Sequence, residues 1–155
     1  MSSPLAGKRI VLTRPMEQAQ ASALVLRREG AIPILFPTIQ IAPIQDFRAL
    51  DHALNHLDHY EAIIFTSVNG VQKAVERLKS LHRSPLELEG RLVAVTGQVT
   101  RQALQQVGIK EVICPDSFSA EALLDLLLAE GRVKGRRFLL LRADLAHPAL
   151  PEGLK

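Results

Sequence analysis

Cysteine is almost absent from the 155-residue chain, which contains Cys114 alone. A single cysteine cannot form a disulfide within the chain, which suits a protein of a reducing compartment. Cys114 stands directly before Pro115, at the end of an apolar run. We therefore interpret it as a buried residue at the end of a strand and not as a nucleophile.

Aromatic residues and net charge are also scarce: Phe, Tyr and Trp make up 4% of the chain, and the formal net charge is +3. Few rings to stack on bases and no long basic run argue against a nucleic-acid-binding protein. No apolar run approaches the roughly 18 residues of a membrane span. The first residues, MSSPLAGKR, lack the apolar core of a signal peptide. We expect a cytoplasmic protein without a membrane segment, and the mild positive balance fits a small acidic ligand.

The sequence contains neither G-x-x-x-x-G-K-[ST] nor G-x-G-x-x-G, so a P-loop or dinucleotide cofactor is not supported. His52, His56 and His59 have helical spacing, which could suggest a metal site. On a helical wheel they lie opposite the apolar stripe of the helix predicted over 46–58. We predict that the three side chains are exposed and hold no metal.

Short apolar segments alternate with helical patterns along the chain. The segments predict strands at 9–13, 62–65, 92–95, 111–114 and 138–141. Strands that alternate with helices at this spacing form βαβ units, so the predicted fold is a parallel, flavodoxin-like three-layer α/β sheet. Right-handed crossovers then bring the carboxyl ends of all strands to one edge.

The segment 32–43 is unusual because it contains Pro33, Pro37 and Pro43. Proline cannot donate to a sheet ladder, so this segment is not a central strand throughout. Two interpretations remain open, an extended connector between two packing units or an ordinary edge strand followed by a loop.

Polar residues follow the predicted strands at their common edge. Asn69-Gly70 marks a turn or a helix entry, and we expect a further helix to open at Thr100. The edge residues are Thr13, Arg14, Thr66, Ser67, Asn69, Thr96, Gly97, Thr100, Ser117, Ser119 and Arg142. Asp144 is the one carboxylate among them, and no nucleophile–histidine pair is apparent. Neutral donors beside helix N-termini are typical of an anion site. Ser67 and Ser119 are equally candidates for helix N-caps, and Thr66 for a turn residue.

Four motifs occur in a fixed order along the chain. They are TRPMEQA from Thr13, FTSVNGV from Phe65, AVTGQVT from Ala94 and FSAEAL from Phe118. Together they resemble the uroporphyrinogen-III synthases and cover nearly the whole chain. The chain departs from that family's pattern at Thr96, which is inserted before Gly97, and at His147, where an arginine is common.

The resemblance implies a lyase that cyclises the linear tetrapyrrole hydroxymethylbilane to uroporphyrinogen III, with inversion of ring D and loss of water. It implies no metal and no organic cofactor. Catalytic residues stay unassigned, since Tyr60 does not correspond to the tyrosine discussed for the family. The implied contacts to substrate carboxylates or the leaving hydroxyl are Thr13, Arg14, Thr66, Ser67, Asn69, Thr100 and Ser119.

Members of that family contain two similar α/β domains, the first of which is split along the sequence. By resemblance, residues 1–37 are the opening piece of the split domain and 38–155 are the inserted domain. We therefore expect an incomplete, inactive chain in which Leu12, Leu24 and Leu26 lack their usual cover, so that it self-associates or frays there. The alternatives are a flavodoxin-like ligand-binding or sensor module without chemistry, and a small enzyme that acts on phosphorylated metabolites.

Overall fold

The computed structural model describes residues 3–40, 42, 44–142 and 148–155. The chain divides into two compact units, Met1–Asp46 and Phe47–Lys155. The boundary lies nine residues after the one expected at 37/38, because the proline-rich segment packs with the first unit. That the first unit is part of a split domain stays a prediction.

The first unit is a two-stranded parallel sheet with one helix. Strand β1 (Arg9–Leu12) leads into helix α1 (Met16–Arg28), which returns to strand β2 (Ile32–Leu35). The register places Val11 opposite Ile34. Helix α1 buries its small residues Ala19 and Ala23, so the helix can approach its neighbours closely.

The segment 32–43 begins as a strand, so the edge-strand interpretation is correct for its first four residues. The Ile32 amide donates to the Lys8 carbonyl at 2.8 Å, and the Phe36 amide donates to the Leu12 carbonyl at 2.9 Å. The backbone amides of the even-numbered residues of β2 therefore point toward β1, and the backbone nitrogen of Pro33 points away from it. The missing N–H of Pro33 thus costs no ladder hydrogen bond.

The second unit is built around a parallel sheet in the order β4–β3–β5. Its strands are β3 (Ala62–Phe65), β4 (Leu92–Val95) and β5 (Phe138–Leu141). Its helices are α2 (Arg48–Asn55), α3 (Val68–Ser80), α4 (Gln98–Gln106), α5 (Ala120–Ala129) and α6 (Ala149–Gly153), with 3-10 turns at Leu57–His59 and Pro85–Leu88. All four residues of the central strand β3 are buried.

Two apolar clusters cover the two faces of this sheet. Ile63 and Phe65 point into a cluster with α2, α3 and α4, whereas Ile64 points into a cluster with α5 and α6. This alternation is that of a strand buried on both faces. The predicted parallel, three-layer α/β class is confirmed.

The predicted strand at 111–114 is wrong, because only Ile113 pairs with the sheet. Its amide donates to the Val93 carbonyl at 2.9 Å, and its carbonyl accepts from the Val95 amide at 2.8 Å. The next amide in such a ladder belongs to residue 115, which is proline and has no N–H. Pro115 therefore ends the pairing after one residue.

Helix boundaries also differ from those predicted. Helix α2 ends at Asn55 and a 3-10 turn replaces its expected last turn. Helix α3, by contrast, begins at Val68 with Asn69 and Gly70 in its first turn, which confirms the helix entry among the two interpretations of Asn69-Gly70. Helix α4 begins at Gln98, so Thr100 lies inside it and does not open it.

The order of extended segments is Ile113, β4, β3, β5. A flavodoxin-like sheet would place its third strand beside the first, whereas here the third segment lies outside β4. The direction of winding reverses between β3 and β5, and ligands of open α/β sheets bind at such a point.

Two of the three histidines, His52 and His59, are exposed as predicted, whereas His56 is half-buried. Only His52 lies on α2, since His56 follows its end and His59 belongs to the 3-10 turn. Their rings follow one another at centroid distances of 4.4 and 5.1 Å. Among the described residues, no group of three or more His, Cys, Asp or Glu is arranged to hold a metal ion.

No helix in the described ranges is both long and apolar enough to cross a bilayer.

Candidate functional site

The candidate site is the edge of the second unit's sheet where β3, β4 and β5 end. The Thr66 amide donates to the Leu141 carbonyl at 3.4 Å, and the Thr96 hydroxyl donates to the Thr66 carbonyl at 3.2 Å. These bonds tie the ends of the three strands together. The residues that follow each strand are therefore held in fixed positions next to one another.

Helix α3 begins at this edge with Ser67 as its N-cap. The Ser67 hydroxyl oxygen accepts a hydrogen bond from the Gly70 amide at 3.1 Å. Gly70 is required by a close approach, because a Cβ there would lie 3.1 Å from the Leu141 carbonyl oxygen. The cap occupies one amide of the first turn, and the amides of Val68 and Asn69 stay available to a ligand.

Helix α4 begins at the same edge without a side-chain cap, because its N-cap residue is Gly97. The amides of Gln98, Val99 and Thr100 therefore have no capping side chain. Thr100 is only 6% exposed, and its hydroxyl makes no hydrogen bond within the described part of the chain. A nearly buried hydroxyl with open bonding capacity beside free amides is suited to holding an oxyanion.

Helix α5 is the least suited of the three helix N-termini to bind an anion. The Ser119 hydroxyl accepts from the Ala122 amide at 3.0 Å, which confirms the predicted N-cap. Glu121 lies in the first turn of α5 and already places a negative charge there. The role of Ser119 that the structure shows is thus that of a cap.

The structure brings five of the seven predicted site residues into one unit. These are Thr66, Ser67, Asn69, Thr100 and Ser119. The other two follow β1 in the first unit, where both are exposed. They are held by their own unit: the guanidinium of Arg14 donates to the Ser22 hydroxyl at 2.9 Å, and the Thr13 carbonyl accepts from the Thr38 amide at 2.9 Å. The predicted edge residue Asp144 and the variable position His147 lie outside the described residues.

Two carboxylates with shifted pKa lie before the sheet strands, not after them. Glu61 precedes β3, and the Arg137 amide, 2.6 Å from its carboxylate, lowers the pKa of that group. Glu87 precedes β4, and the hydrogen bond from Arg83 lowers its pKa. Both groups stay ionised at neutral pH at the amino ends of the strands. They perform no proton transfer at the carboxyl edge.

Cys114 lies near the carboxyl edge but is a poor nucleophile. Burial raises the pKa of its thiol, and the nearby Asp116 carboxylate raises it further, while Arg101 opposes this shift. The thiol is therefore protonated at neutral pH. The raised pKa agrees with the expectation that Cys114 is not a nucleophile. The expected buried strand end is wrong, because Cys114 is half-buried and only Ile113 pairs with the sheet.

Four contributors to the edge were not among the predicted contacts. Thr96 and Gly97 are among the predicted edge residues. A glycine at the N-cap position indicates that the amides of the first helical turn have no capping side chain. Val99 and Phe118 are apolar residues that are 68% and 65% exposed beside this polar edge. Their exposure depends on the fold and leaves no local signal in the sequence.

Comparison with known proteins gives a family. A model of the family described as uroporphyrinogen-III synthase HemD matches residues 20–155. The "Porphyrin biosynthesis protein HemD" of Ruminiclostridium josui is 32% identical over 146 residues, which is 94% of this chain and 29% of that protein. The "Uroporphyrinogen-III synthase" of Synechococcus elongatus is 33% identical over 141 residues, which is 91% of this chain and 52% of that one. The chain spans about half the length of the curated synthases it matches.

Two crystal structures of uroporphyrinogen III synthase from Thermus thermophilus share the fold. The wild-type structure has a TM-score of 0.63 at 22% identity and covers 96% of this chain and 56% of that one. A triple-mutant structure has a TM-score of 0.69 at 20% identity and covers 96% of this chain and 57% of its own. The ordered motifs, the fold and the sequence relatives agree, and the chain belongs to the uroporphyrinogen-III synthase family.

Proposed function

We propose that this chain contributes the carboxylate-binding part of a uroporphyrinogen-III synthase, which cyclises hydroxymethylbilane. The observation that carries the proposal is the nearly buried, unbonded hydroxyl of Thr100 in the uncapped first turn of α4. The first turn of α3 lies at the end of the adjacent strand β3. Two neighbouring helix N-termini can thus bind two carboxylates of one ligand.

The binding energy has identifiable sources. A helix N-terminus stabilises a nearby anion by about 0.3–1 kcal/mol. A hydrogen bond to a charged group adds about 1.5–3 kcal/mol. The side chains of Thr66, Asn69 and Thr100 make no hydrogen bond within the described residues, so each has donors to offer. Ser67 can still donate its proton while its oxygen caps α3.

The chemistry assigned to this edge is orientation. The cyclisation of hydroxymethylbilane proceeds through a readily formed cationic intermediate, so shape and position matter more than a strong acid or base. Neutral donors that hold the carboxylates fold the linear tetrapyrrole so that the required carbon is attacked. For the first unit by itself, we propose Thr13 and Arg14 as carboxylate contacts, with Arg14 exchanging its bond to Ser22 for a carboxylate.

A direct test is a fluorescence titration with uroporphyrin III, a stable porphyrin of the same carboxylate pattern. Thr66→Val and Thr100→Val remove one hydroxyl each at nearly constant volume. Each is expected to weaken binding about tenfold, since a lost hydrogen bond to a carboxylate is worth about 1.5 kcal/mol or more. Ser80→Ala, which removes a hydroxyl at the opposite end of α3, is the matched control and leaves affinity unchanged.

Equal affinities of the wild type and both threonine variants would remove these residues from the site. Competition with inorganic phosphate separates the alternative of an enzyme for phosphorylated metabolites. If phosphate displaces bound uroporphyrin III at a concentration below the dissociation constant of the porphyrin, the alternative is favoured. We expect the chain alone to yield no type III product, because it matches about half of the relatives' length.

A further inference from the structure

Phe118 is an exposed aromatic residue at the carboxyl edge of the second unit. It leaves 65% of its surface in solvent, although it stands between Ser117 and the helix cap Ser119. Phe65, by contrast, is fully buried in the sheet. A single exposed apolar residue is common on protein surfaces, so Phe118 is singled out by its position beside helix α4 and not by its exposure.

Phe118 is next to the uncapped amides of α4. A Cβ on Gly97 would lie 3.7 Å from the Cβ of Phe118, which is van der Waals contact. Val99, in the same first turn of α4, is 68% exposed. Two exposed apolar residues, Phe118 beside the N-cap of α4 and Val99 within its first turn, thus accompany the free amides of 98–100.

The position of Phe118 is fixed from both sides. The Ser119 amide donates to the Ser117 carbonyl at 2.8 Å, and α5 begins directly after Ser119. On the other side, Pro115 is buried two residues after the chain pairs with β4. The exposed ring thus stands on a short segment that is held at both ends, which is the arrangement of a preorganised contact.

We propose that Phe118, together with Val99, is a platform on which a pyrrole ring packs while a carboxylate of the same ligand binds the first turn of α4. This inference rests on the function proposed above and names what makes the site selective. Amides and hydroxyls alone bind any small carboxylate, whereas a ring beside them favours a ligand with aromatic faces. Phe118 therefore sets the preference for a tetrapyrrole over an aliphatic polycarboxylate.

The test compares two ligands and three variants of the full chain. Uroporphyrin III has aromatic faces and carboxylates, and citrate has carboxylates only. Both are titrated while the amide NMR signals of 98–100 are followed. Phe118→Ala is expected to weaken uroporphyrin III binding about tenfold, the size of one lost aromatic contact with its buried area, and to leave citrate binding within about twofold.

Two further variants serve as controls. Phe118→Tyr retains the ring and is expected to keep the wild-type affinity for uroporphyrin III. Phe36→Ala removes a phenylalanine of similar exposure, 64%, from the first unit and is expected to change neither affinity.

The outcomes separate the two proposals. Unchanged uroporphyrin III binding in Phe118→Ala would overturn the platform and leave the carboxylate site intact. Equal weakening of both ligands would show that Phe118 only supports the backbone, which also overturns the platform. A wild-type chain that binds no uroporphyrin III at all would overturn the proposed function, and the platform with it.

Discussion

The hydroxyl groups proposed as ligand contacts in the second unit fall into two kinds. Those of Ser67 and Ser119 accept hydrogen bonds from amides of the helices they cap. The hydroxyls of Thr66 and Thr100 make no hydrogen bond to the described residues. A cap stabilises the fold whether or not a ligand is present, so alanine substitution of the serines tests stability and binding together. The threonines are the cleaner probes of binding.

Gly97 offers a prediction in which stability and binding change in opposite directions. Gly97→Asp gives α4 the side-chain cap it lacks and a negative charge at its N-terminus, worth about 0.3–1 kcal/mol. The same carboxylate occupies the amides and repels an anionic ligand. We expect a higher melting temperature in calorimetry and about tenfold weaker uroporphyrin III binding, since like charges at this distance cost about 1 kcal/mol or more.

Gly97→Ala is the control for this prediction. The backbone at Gly97 is extended, with φ −166°, and the added Cβ meets Phe118 at an ordinary distance. Its stability and affinity should therefore stay close to those of the wild type. If Gly97→Asp raised stability and bound the porphyrin as before, the first turn of α4 would not be part of the site.

At the scale of elements, the sequence predicted the first and last residues of the three strands in the second unit's sheet. The strands β3, β4 and β5 are short apolar runs bounded by polar residues or glycine, and each has the predicted bounds. Their carboxyl ends also located Thr66, Ser67 and Thr100 at one edge. The alternation of strands and helices was sufficient for this, because the parallel βαβ connection has only one common hand.

The end of α2 could not be predicted, because distant residues determine it. The guanidinium of Arg83 donates to the Leu54 carbonyl, and that of Arg91 donates to the Leu57 carbonyl at 2.6 Å. These arginines satisfy carbonyls at the end of the helix and in the following turn. The exposure of Phe118 could not be predicted for the same reason, because it depends on which elements surround the ring.

The hydrogen bonds around the 3-10 turn Pro85–Leu88 predict how the stability of the fold depends on pH. In its capping box the Ser84 hydroxyl accepts from the Leu86 amide, and the Glu87 carboxylate accepts from the Ser84 amide at 2.9 Å. Arg83 also donates to the Glu87 carboxylate. These bonds lower the pKa of Glu87 in the folded chain. The stability that Glu87 contributes is therefore complete above its unfolded pKa and is lost as the pH falls through the lower, folded pKa.

Glu87→Gln removes the charge and keeps the shape. We expect it to be less stable than the wild type at pH 7 in urea unfolding, with a difference that shrinks as the pH is lowered below about 4.3, the unfolded pKa of glutamate. Glu76→Gln, whose carboxylate pairs with Lys73 on the exposed face of α3, is the matched control. A stability difference for Glu87→Gln that is independent of pH would contradict the assigned cause.

At the scale of the whole molecule, the two units differ in how well their apolar residues are covered. Leu24 is 59% exposed, whereas Leu12 and Leu26 are half-buried. The first unit holds further large apolar residues that are exposed, namely Val11, Met16, Val25, Ile32, Phe36, Ile39 and Ile44. An apolar surface left uncovered in this way tends to recruit a partner. The second unit, by contrast, has an apolar cluster on each face of its sheet.

We therefore predict that the chain self-associates through the first unit or is cleaved there first. Sedimentation measures the association, and limited proteolysis with mass analysis locates the early cuts. Residues 47–155 should persist as a protected core. A monomer in which 9–29 resists protease as well as the core does would contradict the prediction. Leu24→Lys, which makes the exposed helix face polar, is expected to reduce association without exposing the core.

The point at which the chain leaves the sheet after Ile113 also determines which side of α5 faces the core. Pro115 releases the chain from the sheet, and the short stretch to Ser119 then decides at which residue the helix starts. Each residue of an α-helix advances by about 100°. One residue more or less between Pro115 and Ser119 would therefore turn Leu123 and Leu127, which are now fully buried, out of the core. The number of residues between Pro115 and Ser119 therefore matters to the packing of α5 independently of which residues they are.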